Sequence, residues 1–146
     1  MRLTLNFILG NFAVIRNTQQ KIIPQVTKHW SLSVEINASG IIPGWSNILR
    51  VGPGVNDAGA YGDRAPAIFF HPSTTRLHIT NAVNGDKNYI YDHSAQLQIN
   101  QWYKIDVGQS LHADGYHYII AIDGNVVKDI INHQPQEFRN NKVSSS

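Results

Sequence analysis

Apolar and polar residues alternate with period two along most of this chain. In Trp30-Ser31-Leu32-Ser33-Val34-Glu35-Ile36-Asn37 the odd and even positions separate cleanly. Trp30, Leu32, Val34 and Ile36 face one way, and Ser31, Ser33, Glu35 and Asn37 the other, which predicts a strand with one buried and one wet face. Residues 75–80 alternate again, with Leu77 and Ile79 inward, and residues 102–107 place Ile105 and Val107 toward a core. Residues 116–123 form the most apolar run and turn through Asp123-Gly124-Asn125 into 126–131. Further strands are expected at 2–9, 12–15, 48–51, 65–70, 88–92, 96–99 and 138–143. Residues 17–28 are polar, contain Pro24, and read as a loop or an edge strand. Asn84-Gly85 is a strong hairpin signal. No segment sustains a 3.6-residue period, and 126–131 is too short to outvote its neighbours. Roughly ten strands with regular turn signals predict an all-β, antiparallel sandwich or barrel.

The length, 146 residues, fits a single domain over 1–146, with 144–146 expected to be a disordered tail. Charged residues make up 15% of the chain, against about 25% in an ordinary domain. The polar surface must therefore rest on Asn, Gln, Ser, Thr and His, which suits directional hydrogen bonding better than electrostatic steering. The net charge is +2, and the 12 basic residues are scattered with no basic block, which argues against nucleic acid as a partner. The absence of Cys excludes disulfides, thiol chemistry and zinc–thiolate sites. No run of 18 apolar residues exists, so no membrane insertion by a helix is expected.

Candidate chemistry gathers in residues 44–72, where two apolar runs flank a loop rich in Gly, Asn and Asp that ends in Tyr61-Gly62-Asp63-Arg64. An acid–base pair at the mouth of an apolar strand is either a loop staple or a ligand handle, and the staple is the reading favoured here. Trp45 and Tyr61 border the loop, as Tyr89 and Tyr91 border others, and His71 closes the stretch. An exposed ring of that kind can stack on the apolar face of a sugar. The candidate ligand-binding residues are thus Trp45, Tyr61, Asp63, Arg64 and His71. Trp30 and Trp102 are expected in the core. Glycoside hydrolysis needs two carboxyls roughly 5–10 Å apart, yet Glu35 and Glu137 are the only Glu residues and no acids alternate along a strand. Glu35 reads as a solvated strand residue, and no enzyme is expected. No nucleophile elbow or phosphate loop occurs. Of seven His, His78 and His117 lie on alternating strands that could converge, but spacing alone names no metal set. Asn37-Ala38-Ser39 is a candidate glycosylation site in a secreted chain, with Asn37 the acceptor.

The run Asn100-Gln101-Trp102-Tyr103-Lys104-Ile105-Asp106-Val107, followed after about ten residues by Tyr116-His117-Tyr118-Ile119-Ile120-Ala121-Ile122-Asp123-Gly124, resembles a known hairpin. It is similar to that of the concanavalin A-like lectin/glucanase superfamily and of laminin G-like jelly rolls. Residues 28–36, 44–49 and 63–68 resemble upstream pieces of the same pattern in the same order. The resemblance implies a jelly-roll sandwich in an extracellular or cell-surface setting. It implies a non-catalytic recognition or adhesion module that binds glycans or extracellular partner proteins. A structural subunit assembling through its sheet edges and an atypical glycoside hydrolase are the rival readings. Laminin G-like relatives imply calcium through loop carboxylates, here Asp57, Asp63 and Asp86, although no spaced acidic loop is present. Relatives of this fold also bring the last strand beside the first. The short, polar 138–143 segment and the β-prone 2–7 run are expected to expose edges that support self-association.

Overall fold

The computed structural model describes residues 2–7, 10–11, 21–54 and 59–144, with side chains over 26–54, 59–139 and 141–144. The expected 12–15 strand and residues 145–146 of the expected tail lie outside the described residues. Those described form twelve strands and no helix: β1 Arg2–Phe7, β2 Gly10–Asn11, β3 Lys21–Val26, β4 Trp30–Asn37, β5 Ser46–Gly52, β6 Ala67–Phe70, β7 Arg76–Val83, β8 Asp86–Gln96, β9 Trp102–His112, β10 Gly115–Ile122, β11 Asn125–Ile131 and β12 Phe138–Ser144. They assemble into two six-stranded sheets, β11-β10-β9-β4-β1-β2 and β3-β12-β5-β6-β7-β8. Every pairing is antiparallel.

The alternation read from the sequence is what packs the two sheets. Leu32, Val34 and Ile36 of β4, Ile105 and Val107 of β9, and Tyr118 and Ile120 of β10 line the inner face of the first sheet. Ile48, Leu49 and Val51 of β5, Ile68 and Phe70 of β6, and Leu77 and Ile79 of β7 meet them from the second. The expected hairpins form where Asn84 and Gly85, and Asp123 and Gly124, take positive φ at both turn positions, the geometry two-residue hairpins prefer. β3 lies at a sheet edge, the position a strand containing Pro24 tolerates.

Four expectations change. The 88–92 and 96–99 runs are not two strands, because β8 is continuous over eleven residues to Gln96. Trp102 is not a core residue. It is 46% exposed, on the outward phase with Lys104 and Asp106, while Ile105 and Val107 point in. Ser144 is not part of a tail but the last residue of β12, paired with Arg50. Finally, β12 does not offer an open edge. It fills a slot between β3 and β5, while β1 lies between β4 and the two-residue β2. Asn37, the sequon residue, ends β4 half-buried between Arg2 and Trp102.

Candidate functional site

The outer face of the second sheet carries the chemistry. Because successive side chains alternate, Phe69 points outward between the core residues Ile68 and Phe70, and His78 between Leu77 and Ile79. Phe69 pairs directly with His78, and His78 with Asp92. That row crosses three strands. His71, two residues beyond Phe69, returns to the same face, held there by its backbone N–H donating to the Arg76 carbonyl at 3.0 Å.

These side chains interlock. Asp92 Oδ1 meets His71 Nε2 at 2.6 Å and His78 Nδ1 at 2.7 Å, so a single carboxylate oxygen serves both imidazoles. Partial burial pushes the Asp92 carboxyl up, but the hydrogen bonds from His78 and His71 outweigh it and leave the carboxyl below its ordinary range. The Trp45 ring packs against both imidazoles, 4.8 Å from His71 and 4.9 Å from His78 between centroids, and makes a T-shaped contact with Phe69. Trp45 nevertheless remains 52% exposed, whereas His78 beneath it is 8% exposed. Across the face, the Arg64 guanidinium sits 5.0 Å over the Phe69 ring and its Nη1 donates to Asn88 Oδ1 at 3.0 Å. Trp45, Arg64, Phe69, His78, Asn88 and Ile90 enclose a cleft of about 420 Å³. That is the size of a small-molecule site, roughly 300–1,000 Å³. A smaller hollow of about 200 Å³ lies on the outer face of the first sheet, beside Trp30 and Asp106.

The residues singled out from sequence therefore divide. Trp45 and Arg64 line the cleft, and His71 packs against Trp45 beside it. Tyr61 does not line it: its hydroxyl donates to the Gln134 carbonyl at 2.9 Å and its ring packs on Phe138. Asp63 is buried and closes the loop, with Oδ2 accepting from the Ala60 N–H at 2.7 Å and its carbonyl accepting from Arg50 Nε at 3.2 Å. That carbonyl passes so close to Gly52 that any Cβ there would collide with it. The expected staple is thus carried by Asp63, while Arg64 turns to the cleft wall. His78 and His117 do not converge, because they belong to different sheets. Of the loop acids considered for calcium, Asp57 lies outside the described residues, and Asp86 Oδ1 accepts from the Asn88 N–H at 2.8 Å. Sequence reasoning missed Phe69, His78, Asn88, Ile90 and Asp92 as site residues. The signal was present in the outward phase of 69, 71 and 78, but Asp92 required the β7–β8 register.

No protein-family model matches the chain, and no curated protein matches it. Solved structures do. A native heptameric SAP-like pentraxin from Limulus polyphemus superposes with a TM-score of 0.55 at 14% identity, over 97% of this chain and 62% of the pentraxin. Sheep galectin-11, in complex with glycerol, superposes with a TM-score of 0.52 at 10% identity, over 89% of this chain and 91% of the galectin. The chain thus spans under two thirds of the pentraxin's length and nearly all of the galectin's. Its fold is an all-β jelly-roll sandwich similar to that of both.

Proposed function

We propose that this chain is a non-catalytic, lectin-like recognition module that binds a glycan in the cleft roofed by Trp45. The observation that carries the reading is a half-exposed Trp45 ring sharing one cleft with the polar side chains of Arg64, His78 and Asn88. A pyranose has an apolar face that stacks on such a ring, and hydroxyls around its rim that need planar donors and acceptors. Arg64, Asn88 and His78 supply both kinds within the cleft lining. The jelly-roll fold shared with a galectin and a pentraxin supports the reading, and so does the low surface charge. Glycoside hydrolysis is disfavoured by the disposition of the acids. Oδ1 of Asp92 is engaged by two imidazoles, and Glu35 is exposed on the outer face of the other sheet. An extracellular or cell-surface setting belongs to the same proposal.

The test is a glycan array probed with the intact chain, followed by titration of the best ligand. Trp45→Ala and Arg64→Ala are each expected to weaken binding tenfold or more, equivalent to about 1.4 kcal/mol. Because Trp45 is half-exposed, its removal should change Tm little. An array without a single binder, or binding untouched by both substitutions, would remove the cleft from consideration.

A further inference from the structure

We propose that His71, His78 and Asp92 form a binding site for a divalent transition-metal ion of the zinc class. The ligand atoms His71 Nε2, His78 Nδ1 and an Asp92 carboxylate oxygen all lie within 4.8 Å of one another. Two imidazole nitrogens and one carboxylate are a donor set for zinc, copper or nickel. Calcium, by contrast, takes six to eight oxygens.

The backbone presets the arrangement. His78 and Asp92 are directly opposed residues of neighbouring strands, and the turn after β6 is tied to β7 by the His71 N–H to Arg76 carbonyl bond. Strand pairing therefore fixes His78 and Asp92, and one backbone hydrogen bond holds the segment that carries His71. The present N···O separations of 2.6 and 2.7 Å are hydrogen-bond distances. A tetrahedral zinc with ligand bonds of about 2.0–2.2 Å would hold its donors roughly 3.3–3.5 Å apart. Asp92 must therefore withdraw by somewhat under 1 Å. It is the member free to do so, since its side chain is 34% exposed against 22% for His71 and 10% for His78. In the metal form each imidazole carries its N–H on the other ring nitrogen and presents a lone pair to the ion. Three protein ligands leave at least one coordination position for water or for an oxygen of a bound molecule, as in open zinc sites. His78 lines the cleft, so a position at its Nδ1 is beside any glycan held there. That last step rests on the glycan reading, whereas the metal site itself does not.

The experiment uses the intact, chelator-stripped chain with no sugar present, so failure of the metal site leaves the glycan reading standing. Zinc titration by calorimetry should show one ion per chain with a Kd in the micromolar range or tighter. His71→Ala and His78→Ala should each weaken it at least tenfold, with folding confirmed by circular dichroism. Copper(II) should quench the fluorescence of Trp45, whose ring lies against both imidazoles, and Trp45→Phe should abolish that component without changing the stoichiometry. Cobalt(II) added to the unmutated chain should produce a visible d–d band of a low-coordinate site, which needs no variant to read. Absence of that band together with substoichiometric zinc would overturn the proposal. So would zinc binding of undiminished strength in a variant carrying both His71→Ala and His78→Ala, which would place the ion at other histidines.

Discussion

The Tyr118 ring is sealed in the core against the edge of Tyr89, at 6.3 Å between centroids, with 0% of the residue exposed. Its hydroxyl is buried there with no hydrogen-bond partner. Burial, with a smaller contribution from the Tyr89 phenol, pushes the Tyr118 phenol far above its ordinary value. A buried hydroxyl without a partner pays its desolvation in full and returns nothing. Tyr118→Phe should therefore leave stability unchanged or raise it by up to about 1–2 kcal/mol. Tyr118→Ala, which opens a cavity, should cost about 3–5 kcal/mol. Urea denaturation of the two variants checks both, and a destabilised Phe variant would show that the hydroxyl is satisfied after all.

Hairpins are the units in which the sequence pattern worked and in which it slipped. At the far end of the first sheet, His117 ties the β9–β10 turn to β11, with Nε2 on Asp114 at 2.6 Å and Nδ1 on Asp129 at 2.7 Å. The hydrogen bonds its ring donates to Asp129 and then Asp114 raise its pKa. The same contact, with the hydrogen bond to His117 the largest cause, lowers that of Asp114. A raised His pKa stabilises fully below the unfolded value near 6.5 and is lost as pH rises through the folded value; a lowered Asp pKa stabilises above the ordinary 3.8 and is lost as pH falls below it. This clasp should thus act between about pH 4 and 6.5 and fade on either side. Thermal melts at pH 6 and pH 8.5 should show a fall in Tm that is smaller in His117→Gln. An identical pH dependence in the variant would mean the clasp contributes nothing. The wider lesson concerns register. Asn84-Gly85 correctly announced the β7–β8 hairpin, and the outward phase of Phe69 and His71 was readable. A regular two-residue hairpin pairing Val83 with Asp86 would set His78 opposite Tyr91. A bulge between Asn81 and Val83 moves it opposite Asp92 instead. No residue type there announces the bulge, so the His–Asp cluster was invisible in the sequence. Trp102 was misjudged for the opposite reason: its size suggested burial, although the phase set by Ile105 and Val107 already put it outside. Arg64 was separable from Asp63 only once the loop's return past Gly52 was seen.

Across the whole molecule, the two sheets are tied at one end by a buried relay of amides. Gln109 Nε2 donates to the Lys28 carbonyl at 2.7 Å, and Asn132 Nδ2 donates to Gln109 Oε1 at 2.7 Å. Asn132 Oδ1 then accepts from the backbone N–H of Asn84, in the hairpin of the opposite sheet, and of Gln134, both at 3.0 Å. Asn132→Ala strands several of these groups at once and should cost about 2–4 kcal/mol in a denaturation midpoint measured at constant m. A loss below about 0.5 kcal/mol would show that water replaces the relay. The slot that β12 fills between β3 and β5 has a consequence in time. β3 is made early, but its partner β12 is synthesised more than a hundred residues later. A chain emerging from the ribosome therefore holds β3 without a mate and β5 with one flank bare until residue 144 is out. Contacts so distant along the chain close slowly, and until β12 emerges the nascent chain carries two unpaired strand flanks in need of shelter.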